Sequence, residues 1–172
     1  MLASEYQRVV STVRVDSRPY YPLSLPDDKL ILLKNYCVLL QEWTKKVDLV
    51  SEAEPLLLIQ RHFIDSLIAG QLIFSKHKVL HGVLDLGSGA GFPGLVMAIM
   101  DSNTKFYLCE PREKRTIFLR EAIRRLGLTN VSLLSKRFEE VQANDCDIDM
   151  VVSRALVIDK RLLKKIKSFL RG

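Results

Sequence analysis

The chain runs to 172 residues, 48% apolar and 27% charged, enough for one globular domain with a proper core. No apolar run approaches the ~20 residues needed to span a bilayer. The opening Met1-Leu2-Ala3-Ser4-Glu5 lacks the basic and apolar regions of a secretory signal, so a cytoplasmic location is expected. A net charge of +6 points to polyanionic partners. Cys37, Cys109 and Cys146, odd in number and without a C-x-x-C pair, fit buried hydrophobes and not disulfides or a metal site.

In chain order, Glu5 to Val13 reads as one short helix, which Pro19, Pro22 and Pro26 then break. From Asp27 the pattern is helical. Asp27 or Asp28 is placed as the cap, and Leu30, Leu33, Tyr36, Cys37, Leu40 and Trp43 recur at helical spacing. A second helix is predicted from about Pro55 to Phe74. Within it Arg61, His62 and Asp65 are helical neighbours, read as a structural hydrogen-bonded network in preference to a direct RNA contact. These helices make up an extension over residues 1–78, packed on a core over 79–172.

After His81-Gly82 the pattern switches to strand–helix alternation. Strands are predicted at 83–86, 105–109, 130–134 and 148–153, with helices at about 93–101, 113–126 and 158–170. Such alternation implies an α/β, Rossmann-like fold: a parallel sheet with right-handed crossovers, here in strand order 3-2-1-4. Ligands bind outside the carboxyl ends of strands in this architecture. Gly87 to Gly91, Glu110 and Ser153-Arg154 converge there.

The most telling segment is Val83-Leu84-Asp85-Leu86-Gly87-Ser88-Gly89-Ala90-Gly91-Phe92-Pro93-Gly94. Glycines at a strand-to-helix turn let the backbone approach a ligand closely. Read literally, Gly89 to Gly94 is the G-x-G-x-x-G string of dinucleotide sites, which would make NAD the ligand. That motif needs helix N–H groups aimed at a pyrophosphate, and Pro93 removes one. Asp85 and Gly87 extend the string to D-x-G-x-G-x-G, the form of S-adenosylmethionine sites. That cofactor has no phosphate and needs carboxylates for its ammonium and ribose hydroxyls. Glu110, closing the second strand, stands at the distance of roughly 20 residues expected of a ribose-binding acid. Asp85, Gly87, Gly89, Gly91 and Glu110 are therefore candidate S-adenosyl-L-methionine residues, and no metal is called for. The basic residues cluster, Arg112 to Arg125 in one segment and Lys160 to Arg171 in another, which favours RNA or DNA as a partner.

From about residue 30 to 170 these features resemble the bacterial 16S ribosomal RNA guanine-N7 methyltransferases, the glucose-inhibited division protein B family. The resemblance rests on Trp43 with Leu49-Val50-Ser51 behind it, and on Arg61-His62-Phe63-Ile64-Asp65-Ser66. It continues through the Asp85–Gly94 turn with its Phe92-Pro93-Gly94 ending, Lys114-Arg115-Thr116-Ile117-Phe118-Leu119, Arg137-Phe138-Glu139 and Ser153-Arg154-Ala155. It implies that Gly87 and Phe92 line the methionine and ribose part of the site. Phe138 and Glu139 would bracket the adenine, and Arg154 would be the catalytic residue at the reaction centre, also touching the cofactor. Glu110 stands where the family often has Asp. Trp43-Thr44 and Asp48-Leu49 replace the family's W-N and N-L. The implied substrate is 16S ribosomal RNA in the small ribosomal subunit.

Guanine N7 carries an in-plane lone pair and no hydrogen, so methyl transfer to it needs alignment and no general base. That suits a sequence without a persuasive acid–base pair. Similar proteins continue through further strands beyond the equivalent of Arg171-Gly172. The expectation is therefore a sheet lacking its last strands, with strand four as an open edge prone to self-association and Leu162, Leu163, Ile166 and Leu170 partly exposed. A non-catalytic remnant that binds cofactor or RNA is the alternative reading.

Overall fold

The structure, a computed structural model, describes residues 25–50, 54–77, 79–154 and 156–170. The helix expected at Glu5 to Val13 lies outside them. The chain enters through α1 (Asp27–Thr44), whose Leu33, Tyr36, Cys37, Leu39 and Leu40 form its buried stripe. Its N-cap is Pro26, with no side-chain cap. The expected aspartate cap is thus corrected: Asp27 and Asp28 sit in the first turn, where their charge faces the positive end of the helix dipole.

The predicted second helix is interrupted. It runs as α2 (Pro55–Leu58), a π turn (Ile59–Phe63) and α3 (Ile64–Lys76). Four parallel strands follow, β1 (Gly82–Leu86), β2 (Lys105–Cys109), β3 (Val131–Leu134) and β4 (Met150–Val152), in the predicted order β3-β2-β1-β4. Leu84 pairs with Tyr107 on one side and Val151 on the other. Central and covered on both faces, β1 is buried at all five positions, as interior parallel strands are. Between strands lie α4 (Gly94–Met100) and α5 (Glu113–Leu126), and α6 (Lys160–Phe169) follows β4.

The two-residue period of the strands sorts the core into layers. Leu108 joins Tyr36, Phe63, Leu95 and Phe118 beneath α1, α3, α4 and α5. Leu84, Leu86 and Cys109 join Phe138, Ile148 and Ile166 beneath α6. The first layer joins the N-terminal helices to the sheet. Tyr36, Phe63 and Phe118 are fully buried there, each contributing ~1.5–3 kcal/mol by area.

Two expectations shift. β4 is shorter than 148–153, and side chains add to it at both ends, the Asp149 N–H still donating to the Gly82 carbonyl at 2.9 Å. Asp149 Oδ2 accepts the His81 and Gly82 N–H groups, and Ser153 Oγ donates to the Leu86 carbonyl at 2.9 Å. Ile148 instead makes an isolated parallel bridge to Leu170. Of the four apolar residues expected to be partly exposed, Ile166 is instead buried, while Leu162 and Leu170 are half-buried against the core and Leu163 is exposed. Asp159 starts this helix by accepting the Leu162 N–H at 2.7 Å.

Candidate cofactor site at the glycine turn

The turn after β1 is held by its own amides. Gly87 and Ser88 donate to the Cys109 carbonyl at 2.9 and 3.1 Å, and Gly91 and Phe92 donate to the Ser88 carbonyl at 2.7 and 3.1 Å. Gly89 donates to Glu110 Oε2 and Gly94 to Asp85 Oδ2, both at 2.9 Å. Pro93, joined to Phe92 by a cis peptide, has no N–H to give. Six N–H groups of the turn are therefore engaged within the protein, two of them by carboxylates. An anion-binding nest needs such groups aimed outward and free of acids. A pyrophosphate finds neither condition here.

Two glycines have specific reasons. Gly89 sits at φ +59°, in the left-handed region that side chains rarely adopt. A Cβ on Gly94 would stand 2.5 Å from Leu108 and 2.7 Å from the Asp85 side chain, so only glycine lets α4 pack on β1 and β2. Beneath the turn the Tyr36 hydroxyl donates to the Ala90 carbonyl, and its ring lies 5.5 Å from Phe92. Thus α1, from the N-terminal extension, sets the shape of the loop.

Both predicted acids are buried. Glu110 bridges the turn to the next helix, accepting the Gly89 N–H through Oε2 and the Arg112 N–H through Oε1. Asp85 is wholly buried, and burial pushes its carboxyl up to about 7, against the pull of the Gly94 N–H, the Ser88 hydroxyl and Arg154. Its Oδ1 is buried with no hydrogen-bond partner among the described residues. A proton on this carboxyl is the simplest completion of that acceptor, and Asp85 itself does not line the cavity.

Above the turn opens a cavity of about 400 Å³ lined by Gly87, Gly89, Phe92, Glu110, His62 and Arg154, among others. Its size falls within the ~300–1,000 Å³ of small-molecule sites. Pro111 and Arg112 carry it over to a second groove of about 430 Å³, lined also by Ser135, Lys136 and Arg137 at the end of β3. Gly91 is buried between the turn and the core, a Cβ there standing 2.5 Å from Leu95 and from the Tyr36 hydroxyl.

Phe138 and Glu139 lie apart from the main cavity. Phe138 is buried against Phe169, ring centroids 5.2 Å apart, with Lys165 Nζ 5.2 Å above it. Glu139 is exposed, and its carbonyl accepts from Lys165 Nζ. They flank the second groove through their neighbours Arg137 and Glu140.

This arrangement, a β1 turn closed on itself, an acid at the end of β2 and a charged residue after β4, coincides with a family match over residues 29–172, to rRNA small subunit methyltransferase G. The chain belongs to this methyltransferase G family. It is 36% identical to the ribosomal RNA small subunit methyltransferase G of Pasteurella multocida over 133 residues, 77% of this chain and 60% of that protein. It is 40% identical to the Aeromonas salmonicida protein of the same name over 119 residues, 68% of this chain and 53% of that protein. The chain spans about three fifths of the length of the first of these curated relatives. In fold it is similar to a protein-L-isoaspartate O-methyltransferase, with TM-score 0.56, 15% identity and coverage of 84% and 51%. It is also similar to a methyltransferase from Geobacter sulfurreducens, with TM-score 0.54, 16% identity and coverage of 86% and 67%. No helix among the described residues is long and apolar enough to cross a membrane.

Set against the methyltransferase G pattern, two residues gain a place that spacing did not suggest. His62 lines the cavity and stacks on Phe92, with ring centroids 5.1 Å apart. Tyr36, read as one core residue among several, ties the extension to the turn. Two basic residues move the other way. Arg124 and Arg125, grouped in sequence with Arg112, Lys114 and Arg115, lie at the far end of α5 and both bond to Glu121. Arg112 and Arg115 line the cavity.

Proposed function

We propose that this chain binds S-adenosylmethionine across the carboxyl edge of β1 and β2 and transfers methyl to N7 of a guanine in 16S ribosomal RNA. The observation that carries the reading is the turn itself. Its amides are engaged within the protein, two of them by carboxyl groups, which leaves no nest for a pyrophosphate and suits a phosphate-free cofactor over a dinucleotide. Its relatives bear the name of small-subunit ribosomal RNA methyltransferases, which supplies the class of substrate.

Bound there, S-adenosylmethionine supplies an activated methyl group on a sulfonium centre. The chain's own residues then have positional roles. Glu110 keeps lone pairs for ribose hydroxyls while its two oxygens hold the Gly89 and Arg112 amides. The Asp85 carboxyl holds the Gly94 N–H and so keeps the turn in shape, and Phe92 forms an apolar wall. The groove past Pro111 receives the adenine, with the Phe138–Glu140 turn as its border. Arg154 faces the cavity, where a guanidinium can hold guanine O6, a phosphate or the cofactor carboxylate. No general base is needed, because N7 gives up no proton. Arg112, Lys114 and Arg115 at the rim of α5, with Lys160, Arg161 and Lys164 on α6, offer phosphate contacts.

The test is methyl transfer from labelled S-adenosylmethionine to small ribosomal subunits lacking the modification, followed by nucleoside mass spectrometry. N7-methylguanosine in 16S RNA is expected. Cofactor binding without transfer would make the chain a non-catalytic binder.

A further inference from the structure

Arg154 follows β4, yet its guanidinium is held from the other end of the described chain. Nη1 donates to the main-chain carbonyl of Arg61 at 3.3 Å, and Cζ lies over the Phe92 ring, 5.1 Å from its centroid. His62 packs on the same ring with 26° between planes. Arg61 and His62 both belong to the π turn Ile59–Phe63. There the Ile64 N–H bonds to the Ile59 carbonyl, one residue further back than in an α-helix.

A π turn carries one residue more than the α-helical path, so it turns the residues before it by roughly 100° relative to those after it. It also disturbs the regular pairing of carbonyls. Two successive ones take side-chain donors here: Arg61 from Arg154, and His62 from Ser66 Oγ at 2.7 Å. Phe63 meanwhile stays fully buried, its ring 5.2 Å from Tyr36 and from Phe92. The core face is therefore fixed, and the wide turn brings the His62 ring to the cavity wall and the Arg61 carbonyl to Arg154.

We propose that the π turn Ile59–Phe63 is the positioning element for Arg154. Arg61, through its carbonyl, and His62, through its stack on Phe92, hold the guanidinium in one place at the cavity wall. An arginine loses much rotamer freedom when held, and a site that holds it beforehand spares that loss during transfer. His62 is on this account a positioning residue and not a base. The inference rests on the role given to Arg154 above.

The experiment compares the unmodified chain with a deletion of exposed Gln60, which restores α-helical spacing, and with His62→Ala, His62→Phe, Arg154→Ala and the double variant His62→Ala/Arg154→Ala. Methyl transfer to small subunits gives kcat and KM, and thermal melting gives stability. The Gln60 deletion is expected to lower kcat at least tenfold and also the midpoint, because it re-phases buried Leu58 and Ile59, whereas His62→Ala should lower kcat about fivefold with KM and the midpoint nearly unchanged. His62→Phe should recover most of the loss, because it keeps the ring. The double variant should be no slower than Arg154→Ala, because both changes remove one function. Losses that multiply in the double variant, or His62→Phe as slow as His62→Ala, would overturn the positioning. Should the deletion fail to fold, the His62 series decides by itself. A slow Arg154→Ala beside normal turnover of the Gln60 and His62 variants sinks the positioning alone. Normal turnover of Arg154→Ala removes the role of Arg154 and the inference with it while leaving the methyl-transfer reading standing, whereas no turnover by the unmodified chain sinks both.

Discussion

Asp85 has two duties that conflict. It accepts the Gly94 N–H and so fixes α4 on β1, yet full burial pushes its carboxyl up to about 7. The folded protein therefore keeps a proton that the unfolded chain, near the usual pKa of ~4, has released. Stability is greatest below about pH 4 on account of this group and is lost as pH rises towards 7. Asp85→Asn keeps a carbonyl acceptor for Gly94 and cannot ionise. Its thermal midpoint is expected to be flatter between pH 4 and 7, the wild-type slope amounting to a few kcal/mol as an order of magnitude. An unchanged pH slope in the variant would place the ionisation elsewhere. Gly89 belongs to the same scale. At φ +59° a valine there is strained and intrudes on the ligand side, so Gly89→Val should lose cofactor affinity at least tenfold. Calorimetry on the folded variant checks this.

Among the elements, α1 has the least obvious duty. The Tyr36 hydroxyl on the Ala90 carbonyl makes it a support of the turn. Tyr36→Phe should cost about 1–2 kcal/mol, since a buried carbonyl loses its donor. It should also weaken cofactor binding; a variant with wild-type affinity would show that the turn keeps its shape unaided. The strand–helix alternation and the site at the ends of β1 and β2 were legible because their signals are local: apolar runs, punctuating glycines, Glu110 at a fixed distance. α5 was read to its ends, Glu113 and Leu126, because Gly127 stops it in the left-handed conformation. The π turn was not legible, since one extra residue leaves the apolar spacing of Ile59, Phe63 and Leu67 intact. The engagement of the turn's amides was hidden too, because it depends on where the Cys109 carbonyl and the Glu110 carboxylate arrive from the next strand. Phe138 was assigned by resemblance, and its burial beneath α6 depends on a helix far along the chain.

At the scale of the molecule, charge is divided by the sheet. Arg112 and Arg115 at the N-terminal end of α5 line the cavity, while Arg124 and Arg125 bond Glu121 at the other end of α5. RNA affinity should fall steeply with salt, since each neutralised phosphate releases counterions. Lys114→Ala or Arg115→Ala should reduce the log–log slope by about 0.7–0.9 for each phosphate no longer neutralised, and Arg124→Ala should leave it unchanged. Equal effects from both ends of α5 would mean that RNA covers the face away from the cavity. The glycine turn, built for a ligand without phosphate, is the feature on which all the rest depends. Calorimetric titration of the unmodified chain with S-adenosylmethionine and, separately, with NAD tests it most directly. Saturable binding of S-adenosylmethionine at one site, with no heat from NAD at the same concentrations, is the predicted result. Tighter binding of NAD would contradict it.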